Sequence, residues 1–324
     1  LEVARLYQKE IQVWLVEYGS LFDSEKVMPR LASVVGLSEI PGEELWEQLE
    51  EHFAGREALI VIDNCEHLIT ATAELASELL KRFPKLRVIA TSRELLRVPG
   101  ETILTLDPLQ VPPSDCLQAD ALLQYSSVEL FVARARASRP KFKLRDDNAP
   151  LVAEICRRLD GLPLAIELAA VRTRALSTKQ IANGLRDRFR LLRGGPRTVP
   201  QRQQTLEQAL AWSYNLLLEE EKSVFCQLSV LAAGFDLEAA SAVCSPEQEP
   251  DLVLDILSAL IDRSLVLCRE SEEGFRYGML ETVRDFAYRE LERKGTLQEV
   301  RARHFHYFQQ RARQRSQPGV AGLS

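Results

Sequence analysis

No apolar run in this sequence approaches the roughly 18 residues that a membrane-spanning helix needs. The longest strongly apolar stretch, Ala58 to Ile62, is of strand length, so a soluble chain with no membrane partner is expected. Cysteine is sparse: six thiols are scattered over 324 residues with no CxxC pair. That fits neither a disulfide framework nor a zinc ribbon and points to reduced, packed thiols and a cytoplasmic location. An excess of basic charge is missing too, since 41 Lys and Arg against 47 Asp and Glu leave a net charge of -6. This argues against a chain whose whole surface binds nucleic acid or anionic membrane. The opening residues LEVARLYQKE lack the apolar core of a signal peptide and an initiator Met, which suits a piece of a longer protein.

What is present reads as an ordinary globular chain, 46% hydrophobic and 27% charged, long enough for two or three domains. The first hundred residues alternate helical patterns with short β-rich runs, as βα units of a mostly parallel sheet do. Val3, Leu6 and Tyr7 share a helical face, Val13 to Val16 reads as a strand, and helices are expected over Glu25 to Val35 and Glu43 to Phe53. ALIVID, uninterrupted and ending in Asp63, fits a central parallel strand buried on both faces. A helix from His67 to Phe83, a strand from Leu86 to Ala90 and a last strand from Thr102 to Leu106 complete the pattern.

Pro108, Pro112 and Pro113 then mark a boundary between Asp107 and Asp120. Helical periodicity prevails from Ser127 to Asp187, with Asp146 or Asp147 capping one helix, Pro163 in the first turn of the next and Ser177 capping another. Gly194, Gly195, Pro196 and Pro200 mark a second boundary. Beyond it, helices near 202–217, 219–231 and 250–262 precede two β-like runs, Leu265 to Cys268 and Phe275 to Met279, across the acidic turn ESEEG. Three helices closed by a small hairpin describe a winged helix. The last thirty residues are helical and arginine-rich before the terminal SQPGVAGLS.

Three motifs carry candidate chemistry. In LIVIDNCEH, Asp63 stands at the carboxyl end of a strand, where parallel sheets bind ligands, and can hold a Mg²⁺-bound water beside phosphates; equally, Asp63 or Asn64 can cap the following helix. In VIATSRE, the next strand end delivers Thr91, Ser92, Arg93 and Glu94. Arg93 can grip a terminal phosphate bidentately, or it can pair with Glu94 at the surface with Ser92 as a cap. In RRLDGLPLAIELAA, Gly161 ends one helix and Pro163 opens the next; such a turn can press against a flat base or be a plain helix corner. Lesser features read as packing: Cys65 and His67 near Asp63, and Trp212 and Tyr214 on a helix face. His304 and His306 lie two apart and share no helical face for a metal. Arg301, Arg303, Arg311, Arg313 and Arg315 either touch nucleic acid or line a solvated helix leading into a following domain.

Taken in order, LIVIDNCEH, VIATSRE, CRRLDGLPLAIELAA, QQTLEQALAWSYNLL and YGMLETVRDFA resemble the nucleotide-binding module of signal-transduction ATPases with numerous domains. The branch is the NB-ARC-like ATPase of large bacterial transcriptional regulators of the AfsR and LuxR type, and the resemblance runs from about Leu1 to the arginine-rich tail. It implies ATP or ADP with Mg²⁺ as cofactors. It implies Asp63 as the Walker B acid that positions Mg²⁺, with Asn64 where many relatives carry a second acid. Arg93 matches the sensor arginine on the γ-phosphate, beside Thr91 and Ser92. Gly161, Leu162 and Pro163 match the turn that packs near the adenine. Met279, Leu280 and Glu281 stand where relatives carry Met-His-Asp, whose His contacts the β-phosphate of ADP.

Two departures matter. No GxxxxGK[ST] phosphate loop occurs in the 324 residues, and that loop supplies most of the grip on β- and γ-phosphates. LEVARL resembles the helix that follows the loop in the family, which places the loop just before Leu1 and leaves this chain with weak nucleotide binding or none. Leu280 in place of His removes the proposed ADP contact. An amide at Asn64 cannot act as a general base, so turnover would be slow, with Glu66 or Glu94 as candidates to orient water.

The expected fold class is therefore α/β plus all-α: a truncated P-loop NTPase parallel sheet over 1–110, a helical bundle subdomain over 121–195, a winged-helix subdomain over 200–294, and a helical tail over 295–324. The expected function is an ATP/ADP-dependent signal-transduction switch in a transcriptional regulator, with effector and DNA-binding domains outside this chain and oligomerisation on activation. Direct DNA binding is not expected, because PDLVLDILSALID at 250–262 is acidic and carries no Lys or Arg. The rival readings are a DNA-binding winged-helix regulator and a protein-interaction scaffold that binds no nucleotide.

Overall fold

A computed structural model of the chain describes residues 6–7, 11–19, 21–37, 44–116, 118–192, 206–244, 250–271 and 274–316. Val3, Glu43, the break at Gly194 to Pro196, Pro200, the helix start at 202–205, two residues of the acidic turn and the terminal 317–324 lie outside them. The chain divides into two compact units, one of Leu1–Thr105 with Asp262–Ser264, the other of Leu106–Ile261 with Leu265–Ser324.

In the first unit, strands β1 (Gln12–Glu17), β2 (Ala58–Asp63) and β3 (Leu86–Ala90) form a parallel sheet in the order β1-β2-β3. Trp14 stands beside Ile60, and Val61 beside Ile89. The unbroken apolar run of β2 follows from its central place, with all residues from Ala58 to Ile62 buried. Helices α1 (Val27–Val34), α2 (Leu45–Phe53) and α3 (Ile69–Arg82) supply the helical part of this unit. In α3 the buried set Thr72, Leu75, Ala76 and Leu79 keeps helical spacing, and Leu75 and Leu79 join Val16, Leu31, Leu49, Ile60, Ile62 and Phe83 in the main core. Each such fully buried aliphatic side chain contributes about 1.5–3 kcal/mol. Asp23 caps the turn before α1 by accepting the Glu25 N–H at 3.1 Å.

One expected element is absent. Thr102 to Leu106 forms no strand, and Ile103, Leu104 and Leu106 are 59%, 84% and 85% exposed. Alternating Thr, Ile and Leu favour a pleated surface only where a neighbouring strand offers backbone partners, and among the described residues β3 is the last strand of this sheet.

The second unit begins with the helices α4 (Ser126–Ser138), α5 (Ala149–Arg158), α6 (Pro163–Val171) and α7 (Thr178–Gly184). Pro163 occupies the first turn of α6, where its missing N–H costs nothing. Ser177 and Gln180 form a reciprocal capping box on α7. The expected cap on α5 is corrected: Asn148 precedes that helix without a side-chain cap bond, and Asp146 instead accepts the Ala119 N–H at 3.0 Å, at the start of the short helix Ala119–Leu122.

The chain continues through α8 (Leu206–Asn215), α9 (Glu219–Leu228), α10 (Leu237–Cys244), α11 (Pro250–Asp262), the antiparallel pair β4 (Leu267–Ser271) and β5 (Gly274–Gly278), and α12 (Glu281–Arg293). Phe235 pairs with Tyr277 through two backbone bonds of 2.8 and 2.7 Å, an isolated antiparallel bridge onto β5. Helix α10 was not expected from the sequence; it is short, and Asp236 starts it by accepting the Ala239 N–H at 2.8 Å. One continuous core runs from Phe131, Val152 and Ile166 to Phe225, Leu257 and Phe286.

The last helix, α13 (Leu297–Ser316), is largely exposed, but three arginines of the basic tail are engaged. Arg303 donates to the Val243 carbonyl at 2.7 Å and to Gln227 at 2.6 Å, Arg311 donates to Asp236 at 2.8 Å, and Arg301 donates to the Tyr288 hydroxyl. These three arginines anchor the helix on its own unit. Among the described residues no helix is long and apolar enough to cross a membrane.

The thiols follow burial. Cys65, Cys156, Cys226 and Cys244 are buried and Cys268 is exposed. Burial lifts Cys65 from the ordinary 9.0 to about 11 and Cys156 to about 12, and raises Cys226 and Cys244 as well. Iodoacetamide at about pH 8 is therefore expected to alkylate Cys268 in the native protein and the four buried thiols only after unfolding. The linked stability is full below the ordinary thiol value of 9.0 and is lost progressively as pH rises from there through 11 to 12, because over that span the unfolded thiols ionise while the folded ones still hold their protons. Alkylation sites mapped by mass spectrometry, and unfolding midpoints across alkaline pH, check both statements.

Candidate functional site

The register of β2 and β3 sets the first half of the site. Ile62 lies beside Ala90, so Asp63 and Thr91 leave the sheet side by side at its carboxyl edge. Thr91 N–H donates to the Ile62 carbonyl at 2.8 Å, and Tyr18 N–H to the Asp63 carbonyl at 3.0 Å, tying all three strand ends together. Asn64 turns the chain with a left-handed φ of 64°, a conformation that Asn tolerates better than most residues. In that pose its N–H donates to the Thr91 hydroxyl at 3.0 Å and the Thr91 carbonyl at 3.1 Å, and Cys65 N–H donates to the same carbonyl at 3.2 Å. The Thr91 hydroxyl in turn donates to Asp63 Oδ1. Thr91 is thus the residue that orients the Asp63 carboxylate.

The capping alternative for Asp63 and Asn64 fails on this geometry. The short helix Glu66–Leu68 has Cys65 at its cap and no side-chain cap bond. Ser92 Oγ accepts the Glu94 N–H at 3.1 Å, a local turn rather than a helix cap. Arg93 Nε stands 3.8 Å from Glu66 Oε1, and Glu94 Oε1 accepts from Arg263 Nε at 2.7 Å. The neighbours Cys65 and His67 make no dyad with each other. Cys65 Sγ points its proton at the Thr91 carbonyl at 3.4 Å, and His67 donates from Nε2 to the Leu21 carbonyl.

The donor set suits a magnesium-bound phosphate in part. Asp63 supplies one hard oxygen, enough for an ion that keeps several waters and takes its remaining ligands from phosphate. Arg93 supplies a guanidinium, and Asn64 Nδ2 is a buried donor with no hydrogen-bond partner. Among the described residues no cluster of three or more His, Cys, Asp and Glu could hold a metal without such help.

The remaining candidate residues belong to the second unit. Helix α5 ends in two consecutive left-handed residues, Asp160 with φ 54° and Gly161 with φ 69°. Gly161 N–H donates to the Cys156 carbonyl at 3.2 Å, closing the helix end, and the Gly161 carbonyl accepts the Leu109 N–H at 3.0 Å. A Cβ at Gly161 would lie 2.1 Å from the Leu109 carbonyl oxygen, so no other residue fits. Leu162 is the cap of α6 and Pro163 its first residue.

Leu280 caps α12 with its backbone alone; its carbonyl accepts the Arg284 N–H at 2.9 Å, and its side chain, like that of Met279, packs on the core. The structure brings the Gly161 turn and this helix start together through residues the sequence reading missed. Asp160 Oδ2 accepts from both the N–H and the hydroxyl of the buried Thr282, each at 2.8 Å. A signal for it existed: α12 starts at Leu280 without a capping side chain, and the free N–H groups of such a start demand an acceptor from elsewhere.

Comparison with known proteins adds the lineage. A winged helix-turn-helix domain family matches residues 217–292, and so covers α9 to α12. The Mycobacterium tuberculosis protein named "Putative HTH-type transcriptional regulator Rv0890c" is 40% identical over 309 residues, spanning 95% of this chain and 34% of the relative. The chain thus corresponds to about a third of that relative's length. The M. tuberculosis protein named "Uncharacterized protein Rv0894" is 34% identical over 299 residues, spanning 92% of this chain and 73% of the relative. Among solved structures, a signal-transduction ATPase with numerous domains and a tetratricopeptide repeat sensor from Pyrococcus horikoshii aligns with TM-score 0.33 and 17% identity, over 94% of this chain and 40% of that one. The ORC2 protein of Aeropyrum pernix aligns with TM-score 0.42 and 9% identity, over 90% of this chain and 82% of that one. On identity and shared length, the chain belongs to the family of the mycobacterial protein Rv0894.

Proposed function

We propose that the chain is the nucleotide-responsive switch module of a bacterial transcriptional regulator, taking ATP or ADP with Mg²⁺ at the carboxyl edge of its parallel sheet. The observation that carries this reading is the Thr91-oriented carboxylate of Asp63, held beside the strand end that bears Arg93. Bound Mg²⁺ would neutralise phosphate charge. Asp63 would hold one of its waters or the ion itself, Ser92 and Arg93 would face the phosphates, and the rigid turn Gly161 to Pro163, with Leu280, would form the part of the module that responds to nucleotide state.

The regulator context comes from the relative named as an HTH-type transcriptional regulator and from the winged-helix match. Helix α11 exposes Asp251, Leu254, Asp255 and Ser258. A face with two carboxylates and no basic side chain repels a phosphate backbone, so DNA recognition is assigned to other parts of the regulator. Differential contacts with ATP and ADP would bias two packings of the module, a population shift rather than a fast reaction.

Titration of ATP and ADP, each with Mg²⁺, into this chain and into a form extended upstream of Leu1 tests the reading. Binding is expected only in the extended form, with Arg93→Ala weakening ATP about 10-fold and ADP far less, as for loss of one charge-assisted contact. If neither form binds either nucleotide, the scaffold reading replaces this one.

A further inference from the structure

Glu66 follows β2 at the carboxyl edge of the sheet, and its side chain is only 4% exposed. A carboxylate held out of water needs a cation or several donors close by. The cation beside it is Arg93, with Nε 3.8 Å from Glu66 Oε1, while the arginine side chain itself keeps 39% exposure. At that separation the two are held by charge and not by a hydrogen bond. Guanidinium has five N–H donors in a fixed fork, and a phosphate offers it more charge and a bidentate fit that this carboxylate does not provide.

We propose that Glu66 is the internal competitor of a terminal phosphate for Arg93, and hence a residue that sets the preference between nucleoside triphosphate and diphosphate. The proposal rests on the nucleotide reading above and names what Arg93 must leave when it engages ATP. A triphosphate draws the guanidinium from Glu66 and strands a buried carboxylate, which subtracts from its affinity. A diphosphate lacks the terminal group and leaves the pair intact. No bond is made or broken; the arginine changes partner. A residue that merely ties two loops together would act with the opposite sign, since its loss would weaken every ligand that needs the loops in place.

The test is calorimetric titration of Mg·ATP and Mg·ADP into the form extended upstream of Leu1, comparing the unsubstituted protein with Glu66→Gln, Arg93→Ala and the double variant. Gln keeps the shape of Glu and removes only its charge. Glu66→Gln is expected to bind ATP about 5-fold tighter, the scale of a partly exposed ion pair, with ADP unchanged and the gain absent from the double variant. Unchanged or weaker ATP binding in Glu66→Gln, or a gain that persists without Arg93, overturns the assignment while leaving the nucleotide site standing. If the unsubstituted protein takes up neither nucleotide, the nucleotide reading falls and this proposal falls with it. Glu66→Met, similar in length and uncharged, repeats the comparison where the glutamine variant fails to fold.

Discussion

Gly161→Ala is expected to lower the thermal unfolding midpoint of the second unit by roughly 10 °C. Two costs add at this position. The left-handed φ of 69° costs a side-chain-bearing residue about 1–2 kcal/mol. The new methyl would meet the Leu109 carbonyl oxygen at 2.1 Å, a backbone atom that cannot rotate away, and relieving such a clash by moving backbone costs about 1–3 kcal/mol more. A sum of about 2–5 kcal/mol in a unit of this size corresponds to the stated shift. Gly295→Ala separates the two terms. Its φ is 77° and nothing lies within 4 Å of the added Cβ, so only the conformational cost of about 1 kcal/mol applies. Equal midpoints for the two variants in calorimetry would show that the close approach of Leu109 to the turn is not what demands glycine.

Asp160→Ala is expected to destabilise the second unit by about 2–4 kcal/mol in urea unfolding, since it removes one acceptor and strands two buried donors. Both bonds are 2.8 Å long and end on Thr282, which is fully buried, so water cannot replace the lost oxygen. Asp160→Asn keeps an acceptor oxygen and tolerates the left-handed backbone, and should recover all but about 1 kcal/mol, the difference between a charged and a neutral acceptor. Thr282→Val removes the hydroxyl bond and leaves the N–H bond, and belongs between the two. An alanine variant as stable as the parent would show that the clamp contributes nothing to holding α5 and α12 together.

The candidate site was legible where it depends on strand ends. Asp63 and Arg93 each close an apolar run, and parallel sheets collect such residues at one edge whatever else the chain does. The sequence did not say how Asp63 is held. Thr91 stands two residues before Arg93 at the strand end, and its hydroxyl is spent between Asn64 N–H and the Asp63 carboxylate. Arg93 was offered a phosphate or Glu94 as partner and took Glu66, a choice made by which carboxylate the turn after β2 buries. Asp160 and Thr282, 122 residues apart, left no mark in any local window.

Local rules sufficed for the helical spacing of α3, the proline at the first turn of α6, the Ser177 box and the buried run of β2, because each depends on contacts within a turn or on burial of one continuous stretch. Thr102 to Leu106 shows the limit of such rules: its alternation is that of a strand, but a strand also needs a neighbour, and a neighbour is not a property of the segment. The same holds for Arg301, Arg303 and Arg311 of α13, which composition marks as part of a basic tail and packing turns into anchors. By itself the sequence determined most of the helices and the three strands of the parallel sheet, where the polar strand ends lie and that Gly161 sits in a turn. Tertiary structure alone decided which donor meets which acceptor, because hydrogen bonds and ion pairs form between whatever groups folding brings within about 3 Å, irrespective of their separation along the chain.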